Sequence, residues 1–354
     1  MKRNILTMAA LALVAATMLA GCGNNGNQKQ AKASLSGAGA TFPEPYYTLI
    51  FKAYGTKTGN QVSYGGIGSG GGVRNLKDEI VDFAGSDAFL TDEEMSEMKP
   101  VVHVPTCLGA VVLAYNLPQV PGLRLSGEVV CDIYAGNITK WNDSRIAALN
   151  PTAKLPAKDI VPVFRSDGSG TTNVFTSYLS AVSADWQQRF GAGKSVNFPA
   201  GQAAKGNPGV AGVVSQTEGA LGYVGTEYAF AQKIAMAEMQ NASGKFVKPT
   251  PESISAAATG DMPADTRKMI VNSEARDAYP IACFTWLLIY QEQNYANRTE
   301  EQARATLDLL QYVLSNEAQQ MTTSVNYCPL PKGLVSQSLE NLKTVTYNGK
   351  PLLK

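Results

Sequence analysis

Apolar residues fall into short blocks along this chain, and three times a turn of small residues opens onto apolar positions at helical spacing. The fullest case begins at Ile160-Val161-Pro162-Val163-Phe164, a predicted buried strand that ends in Arg165. The chain breaks at Asp167-Gly168-Ser169-Gly170, after which Val174, Phe175, Tyr178 and Leu179 predict a helix. A second case runs from the strand-like Gln61-Val62-Ser63-Tyr64 through the glycine-rich stretch around Ser69 into a helix over 73–78. In the remaining case Gly37-Ala38-Gly39-Ala40 leads to Thr41-Phe42-Pro43-Glu44, where Thr41 and Glu44 have capping-box spacing and proline suits an early helix position. Tyr46 to Tyr54 then carries apolar residues at helical intervals, and Val81 to Asp87 reads as a short strand closing on a carboxylate.

Two longer apolar runs, Leu108 to Tyr115 and Ile281 to Tyr290, predict fully buried strands. Glu301 to Met321 predicts one amphipathic helix with Ala305, Leu309, Tyr312 and Val313 on its buried face. Strands alternating with helices give an α/β class, and the Pro- and Gly-containing segment after Tyr115 gives a natural boundary. In such folds ligands collect at strand ends and helix starts, where the three turns lie.

The first 21 residues predict a leader rather than part of the fold. Lys2 and Arg3 precede an apolar run from Ile5 to Leu19, too short to span a bilayer comfortably, and Leu19-Ala20-Gly21-Cys22 follows. This layout resembles the bacterial lipoprotein signal, which implies cleavage before Cys22 and a lipid on its sulfur. Residues 22–33 are small and polar and suit a flexible tether. Setting Lys2 and Arg3 aside leaves 28 basic against 29 acidic residues, so no basic face for nucleic acid is expected. His103 is the single histidine, which argues against His-based acid–base chemistry and His-rich metal sites. Cys107, Cys131, Cys283 and Cys328 lack CxxC spacing; two disulfides, one, or four buried thiols all fit an exported chain.

A small-residue turn at a helix start leaves backbone N–H groups free, and the helix dipole adds positive charge there. Hydroxyls at Ser169 and Thr171 supply further donors, and Arg165 supplies a planar fork for a tetrahedral oxyanion. Thr41 with the Phe42 N–H, and Ser69, offer the same type of donor. Asp87 is the exception in such a socket. Phosphate carries an O–H that an ionised Asp87 can accept, whereas sulfate at neutral pH has none, so the carboxylate would select phosphate. Gly66-x-Gly68-x-x-Gly71 also fits the dinucleotide fingerprint formally, but glycine density alone produces such a match here.

Four ordered blocks carry a family resemblance: Gly37-Ala38-Gly39-Ala40-Thr41-Phe42-Pro43, Gly66-Ile67-Gly68-Ser69-Gly70-Gly71, Val81 to Asp87, and Arg165-Ser166-Asp167-Gly168-Ser169-Gly170-Thr171. Together they resemble the periplasmic phosphate-binding protein of the bacterial high-affinity phosphate ABC transporter. The resemblance covers about Ser34 to Leu330 and is weakest from Pro199 to Arg276. It implies a two-lobed, type II-like periplasmic-binding-protein fold with the ligand cleft between lobes: 34–115 and 287–354 as lobe 1, and 116–286 as lobe 2, with the chain crossing the hinge around Leu113 and Leu287. It implies phosphate ligation by Thr41, Phe42, Ser69, Asp87, Arg165, Ser169, Gly170 and Thr171, with Asp167 holding Arg165. No cofactor or metal is implied. The expected partners are inorganic phosphate, a membrane permease and, through Cys22, the membrane itself, with a monomer in the cell envelope facing the periplasm or exterior. Phe164 replaces a second basic residue of some relatives and Gly70 a frequent serine; neither removes a proposed ligand. The alternative is a lipid-anchored phosphatase using Ser69 or Ser169 as nucleophile.

Overall fold

The computed structural model describes residues 33–353, so the leader, most of the tether and Cys22 lie outside the described residues. Each strand read from the apolar pattern forms. Strands β1 (Ser34–Gly39), β2 (Gln61–Gly66) and β3 (Phe83–Ser86) are joined by helices α1 (Glu44–Thr58) and α2 (Ser69–Lys77). The long β4 (Val101–Tyr115) follows, then β5 (Val161–Arg165), β6 (Gln202–Ala204), β7 (Ala220–Gly225) and β8 (Ala282–Tyr290). Their order across the sheet is β2-β1-β3-β8-β4-β7-β5-β6. This is the mixed α/β architecture of the type II-like periplasmic-binding-protein fold.

The sheet has two halves that share β4. Residues 101–110 of β4 pair antiparallel with β8, which joins β3; residues 111–115 pair instead with β7, which leads to β5 and β6. All nine residues of β8 are buried and pair on the first half, down to Ala282. Both faces of these central strands are covered, which explains their unbroken apolar runs.

Pro105 lies inside β4, where it cannot donate to the ladder. The register shifts there: Thr285 pairs with Cys107 and Trp286 with Pro105, leaving Thr106 bulged out. Gln319 Nε2 donates to the Thr106 carbonyl at 2.8 Å and restores the lost partner.

Two local expectations differ from the structure. The helix expected over 301–321 is two, Glu300–Val313 and Asn316–Met321, because Ser315 adopts extended backbone and caps the second through the Ala318 N–H. The Thr41/Glu44 capping box does not form. Helix α1 starts behind Pro43 without a side-chain cap, and the Thr41 hydroxyl is engaged elsewhere. Cys107, Cys131, Cys283 and Cys328 are buried free thiols.

Candidate functional site

The three small-residue turns converge. Thr41, Ser69, Asp87, Arg165, Ser169 and Thr171 are all buried, drawn from the start of α1, the start of α2, the end of β3, the end of β5 and the start of α3 (Gly170–Val182). The approach is close enough to demand glycine. A Cβ on Gly170 would fall 2.5 Å from Ser69 Oγ and 2.8 Å from Asp87 Cβ, so only a bare backbone fits. Gly68, at φ +91°, would put a Cβ 2.3 Å from Asp167 Oδ2. The Gly70 N–H donates to the Gly168 carbonyl at 2.8 Å, joining the second and third turns directly.

Arg165 is held by a bidentate ion pair, with Nε 2.8 Å and Nη2 2.5 Å from the Asp167 carboxylate oxygens. Its remaining Nη1 reaches Thr171 Oγ1 at 3.4 Å. Burial alone would raise the Asp167 pKa, but Arg165 and the Gly206 N–H hold it below the usual carboxylate range. The Arg165 N–H donates to the Tyr223 hydroxyl, so the guanidinium is fixed at its root as well as its tip.

Asp87 is 1% exposed. It accepts from Thr285 Oγ1 at 2.9 Å and from Thr171 Oγ1 at 3.4 Å. Burial pushes its pKa up to about 7, against the pull of Thr285, Arg165 and Thr171. A carboxylate so placed is short of donors and gains most from a ligand that brings one.

Ser69 Oγ accepts from the Gly170 N–H at 3.1 Å and the Asp87 N–H at 3.3 Å, which fills both lone pairs and leaves its hydrogen to donate. Gly170 was expected to aim its N–H at a ligand; in this conformation that N–H goes to Ser69. Ser169 Oγ caps α3 through the Thr172 N–H at 3.0 Å. The Phe42 N–H has no acceptor among the described residues, and the carbonyls on either side of it are tied down: Tyr228 donates to the Thr41 carbonyl and Tyr327 to the Phe42 carbonyl.

Sequence reasoning missed Thr285, Asn207, Tyr228 and Tyr327. Thr285 lies in a run that reads as plain buried strand, and only the bulge opposite Pro105 marks it. Asn207 opens helix α4 (Gly206–Gln216) inside a Gly-Asn-Pro-Gly turn, in the stretch where the family resemblance is weakest. Its one visible signal is a buried polar side chain that must be bonded. His103, the only candidate base for a serine nucleophile, is buried and spends Nε2 on the Leu90 N–H. No group of metal-ligating side chains occurs among the described residues.

Residues 26–317 match the model of the PBP superfamily domain. A protein of Xylella fastidiosa named phosphate-binding protein PstS is 40% identical over 308 residues, covering 86% of this chain and 83% of its own. The chain belongs to the phosphate-binding protein family of that superfamily. Relatives from Pasteurella multocida and Haemophilus influenzae, 37% and 39% identical, are likewise named phosphate-binding proteins. A solved phosphate-binding protein from Stenotrophomonas maltophilia shares the fold at TM-score 0.69 and 20% identity, over 90% of this chain and 96% of its own. An ABC-type phosphate transport receptor from Vibrio cholerae does so at TM-score 0.56 and 18% identity, over 84% and 100%.

Proposed function

We propose that this protein captures inorganic phosphate between two lobes and delivers it to the permease of an ABC transporter. The ligands in this reading are Thr41, the Phe42 N–H, Ser69, Asp87, Arg165, Ser169, Gly170 and Thr171, with Asp167 holding Arg165. The observation that carries it is the juxtaposition of a buried arginine and several hydroxyl donors with one donor-poor carboxylate. Arg165 and the hydroxyls serve three phosphate oxygens, and Asp87 accepts from the protonated fourth. Relatives named for phosphate binding support the same ligand, and the receptor name of the Vibrio cholerae protein supports the transport role.

The lobes we infer meet along β4. The change of partner at Ala110/Val111, with β8 entering at Ala282, favours crossings a few residues before 115 and 287. Donors from both sides would meet phosphate only when the lobes close, so binding and closure are one event. No helix among the described residues is long and apolar enough to cross a membrane. We read Cys22 as lipidated, which would attach the protein to the membrane. Cys22→Ala is expected to move the protein from the membrane fraction to the soluble fraction, and unchanged membrane retention would refute the anchor.

The functional reading is tested by isothermal titration of a soluble form starting at Ala33, stripped of phosphate. Tight one-to-one binding is expected. Absence of any heat of binding, checked by equilibrium dialysis, would overturn the reading.

A further inference from the structure

Asn207 is fully buried and touches two of the proposed ligands, which come from different halves of the sheet. Its Nδ2 lies 3.0 Å from Thr41 Oγ1 and 3.1 Å from Thr171 Oγ1, and its backbone N–H lies 3.1 Å from Thr41 Oγ1. The amide orientation is fixed independently. The Gly225 N–H, which can only donate, sits 2.9 Å from Oδ1, so the opposite atom is the NH2 group. That group has two hydrogens and meets two threonine oxygens.

A hydroxyl has two lone pairs and one hydrogen. Asn207 fills both lone pairs of Thr41 Oγ1, from its backbone and its side chain, so the Thr41 hydrogen has nothing left to do but donate. Thr171 Oγ1 receives Asn207 Nδ2 and, more weakly, Arg165 Nη1, which leaves its hydrogen pointing to the side where Asp87 Oδ2 lies. Without Asn207 either hydroxyl could rotate to present a lone pair to the anion, which is repulsive.

We propose that Asn207 is a positioning residue for phosphate: anchored on Gly225, it polarises and orients the Thr41 and Thr171 hydroxyls as donors, Thr41 to the ligand directly and Thr171 by turning its hydrogen from the long 3.4 Å contact with Asp87 Oδ2 to the ligand beside it. This rests on the phosphate reading above. It also explains why asparagine is required. Aspartate has the same shape and keeps the Gly225 bond, but it would replace the NH2 group by an acceptor and take the hydroxyl hydrogens for itself.

The test is phosphate titration of the wild type, Asn207→Ala, Asn207→Asp, Thr171→Val and the Asn207→Ala/Thr171→Val pair, with each variant's melting recorded without ligand. Asn207→Ala is expected to weaken binding about tenfold, roughly one oriented hydrogen bond. The near-isosteric Asn207→Asp should weaken it further, by about a hundredfold or more, since it inverts the donors and adds a negative charge. In the Thr171→Val background the alanine change should cost only about threefold, because one of its two targets is gone. Asn207→Asp binding as well as Asn207→Ala, or strictly additive losses, would overturn the orienting role; so would an Asn207→Ala affinity within twofold of wild type. If Asn207→Ala does not fold, the comparison of Asn207→Asp with wild type decides. A wild type that does not bind phosphate is a different result, and it removes the functional reading itself.

Discussion

Asp87 concentrates the conflict between stability and function in one side chain. It is buried with two hydroxyl donors and the charge of Arg165, which do not fully satisfy it, and its pKa rises from 3.8 to about 7. The folded protein therefore holds a proton there that the unfolded chain releases above pH 4. Stability from this group is complete below about pH 4, declines as pH rises toward 7, and is flat beyond. Asp87→Asn removes the decline. In phosphate-free urea unfolding, the variant's advantage over wild type should grow between pH 4 and 7 to a few kcal/mol, at about 1.4 kcal/mol per unit of raised pKa. An advantage that does not change with pH would show that the carboxyl is not strained by burial. The convergence of these residues was legible because glycine, hydroxyl and charge are packed into short ordered blocks. Asn207 and Tyr228 were not, since nothing in a lone asparagine or tyrosine says that it will be bonded to a threonine or a carbonyl.

At the level of elements, the strands were the most legible feature and their irregularities the least. The run Ala282-Cys283-Phe284-Thr285-Trp286 reads as core, yet Thr285 donates to Asp87. What aims it is Pro105 on the neighbouring strand, which breaks the ladder and forces the shift between Thr285 and Trp286. That coupling between residues 180 positions apart is invisible in either run alone. Thr285→Val deletes the nearest donor to Asp87 and should raise its pKa above 7. Phosphate affinity would then fall several-fold at pH 7, roughly one hydrogen bond's worth, and recover relative to wild type at pH 9, where the carboxyl is ionised in both. An equal loss at both pH values would mean that Thr285 serves packing alone. The same lesson holds on a smaller scale at Ser315, whose capping oxygen splits a helix that hydrophobic periodicity runs straight through.

Over the whole molecule, the sheet is continuous, and at the site its two halves are tied by direct hydrogen bonds. Ser69 Oγ takes the Gly170 N–H, Asn207 takes Thr41, and Tyr228 takes the Thr41 carbonyl. Each bond joins the half of the sheet built on β1 to the half built on β5, so these are the groups expected to part when the lobes open. Lys194 and Glu94 add an ion pair between the same two halves. The architecture follows from the alternating pattern of strands and helices, while in the proposed function the choice of anion depends on one buried carboxylate. The most direct test is therefore competition between phosphate and sulfate, titrated into wild type and Asp87→Asn at neutral pH. Wild type is expected to bind phosphate and ignore sulfate, and the gap between the anions to narrow by about a hundredfold or more in the variant, the cost of an unpaired buried charge having been removed. Discrimination that survives intact in Asp87→Asn would contradict that role of the carboxylate.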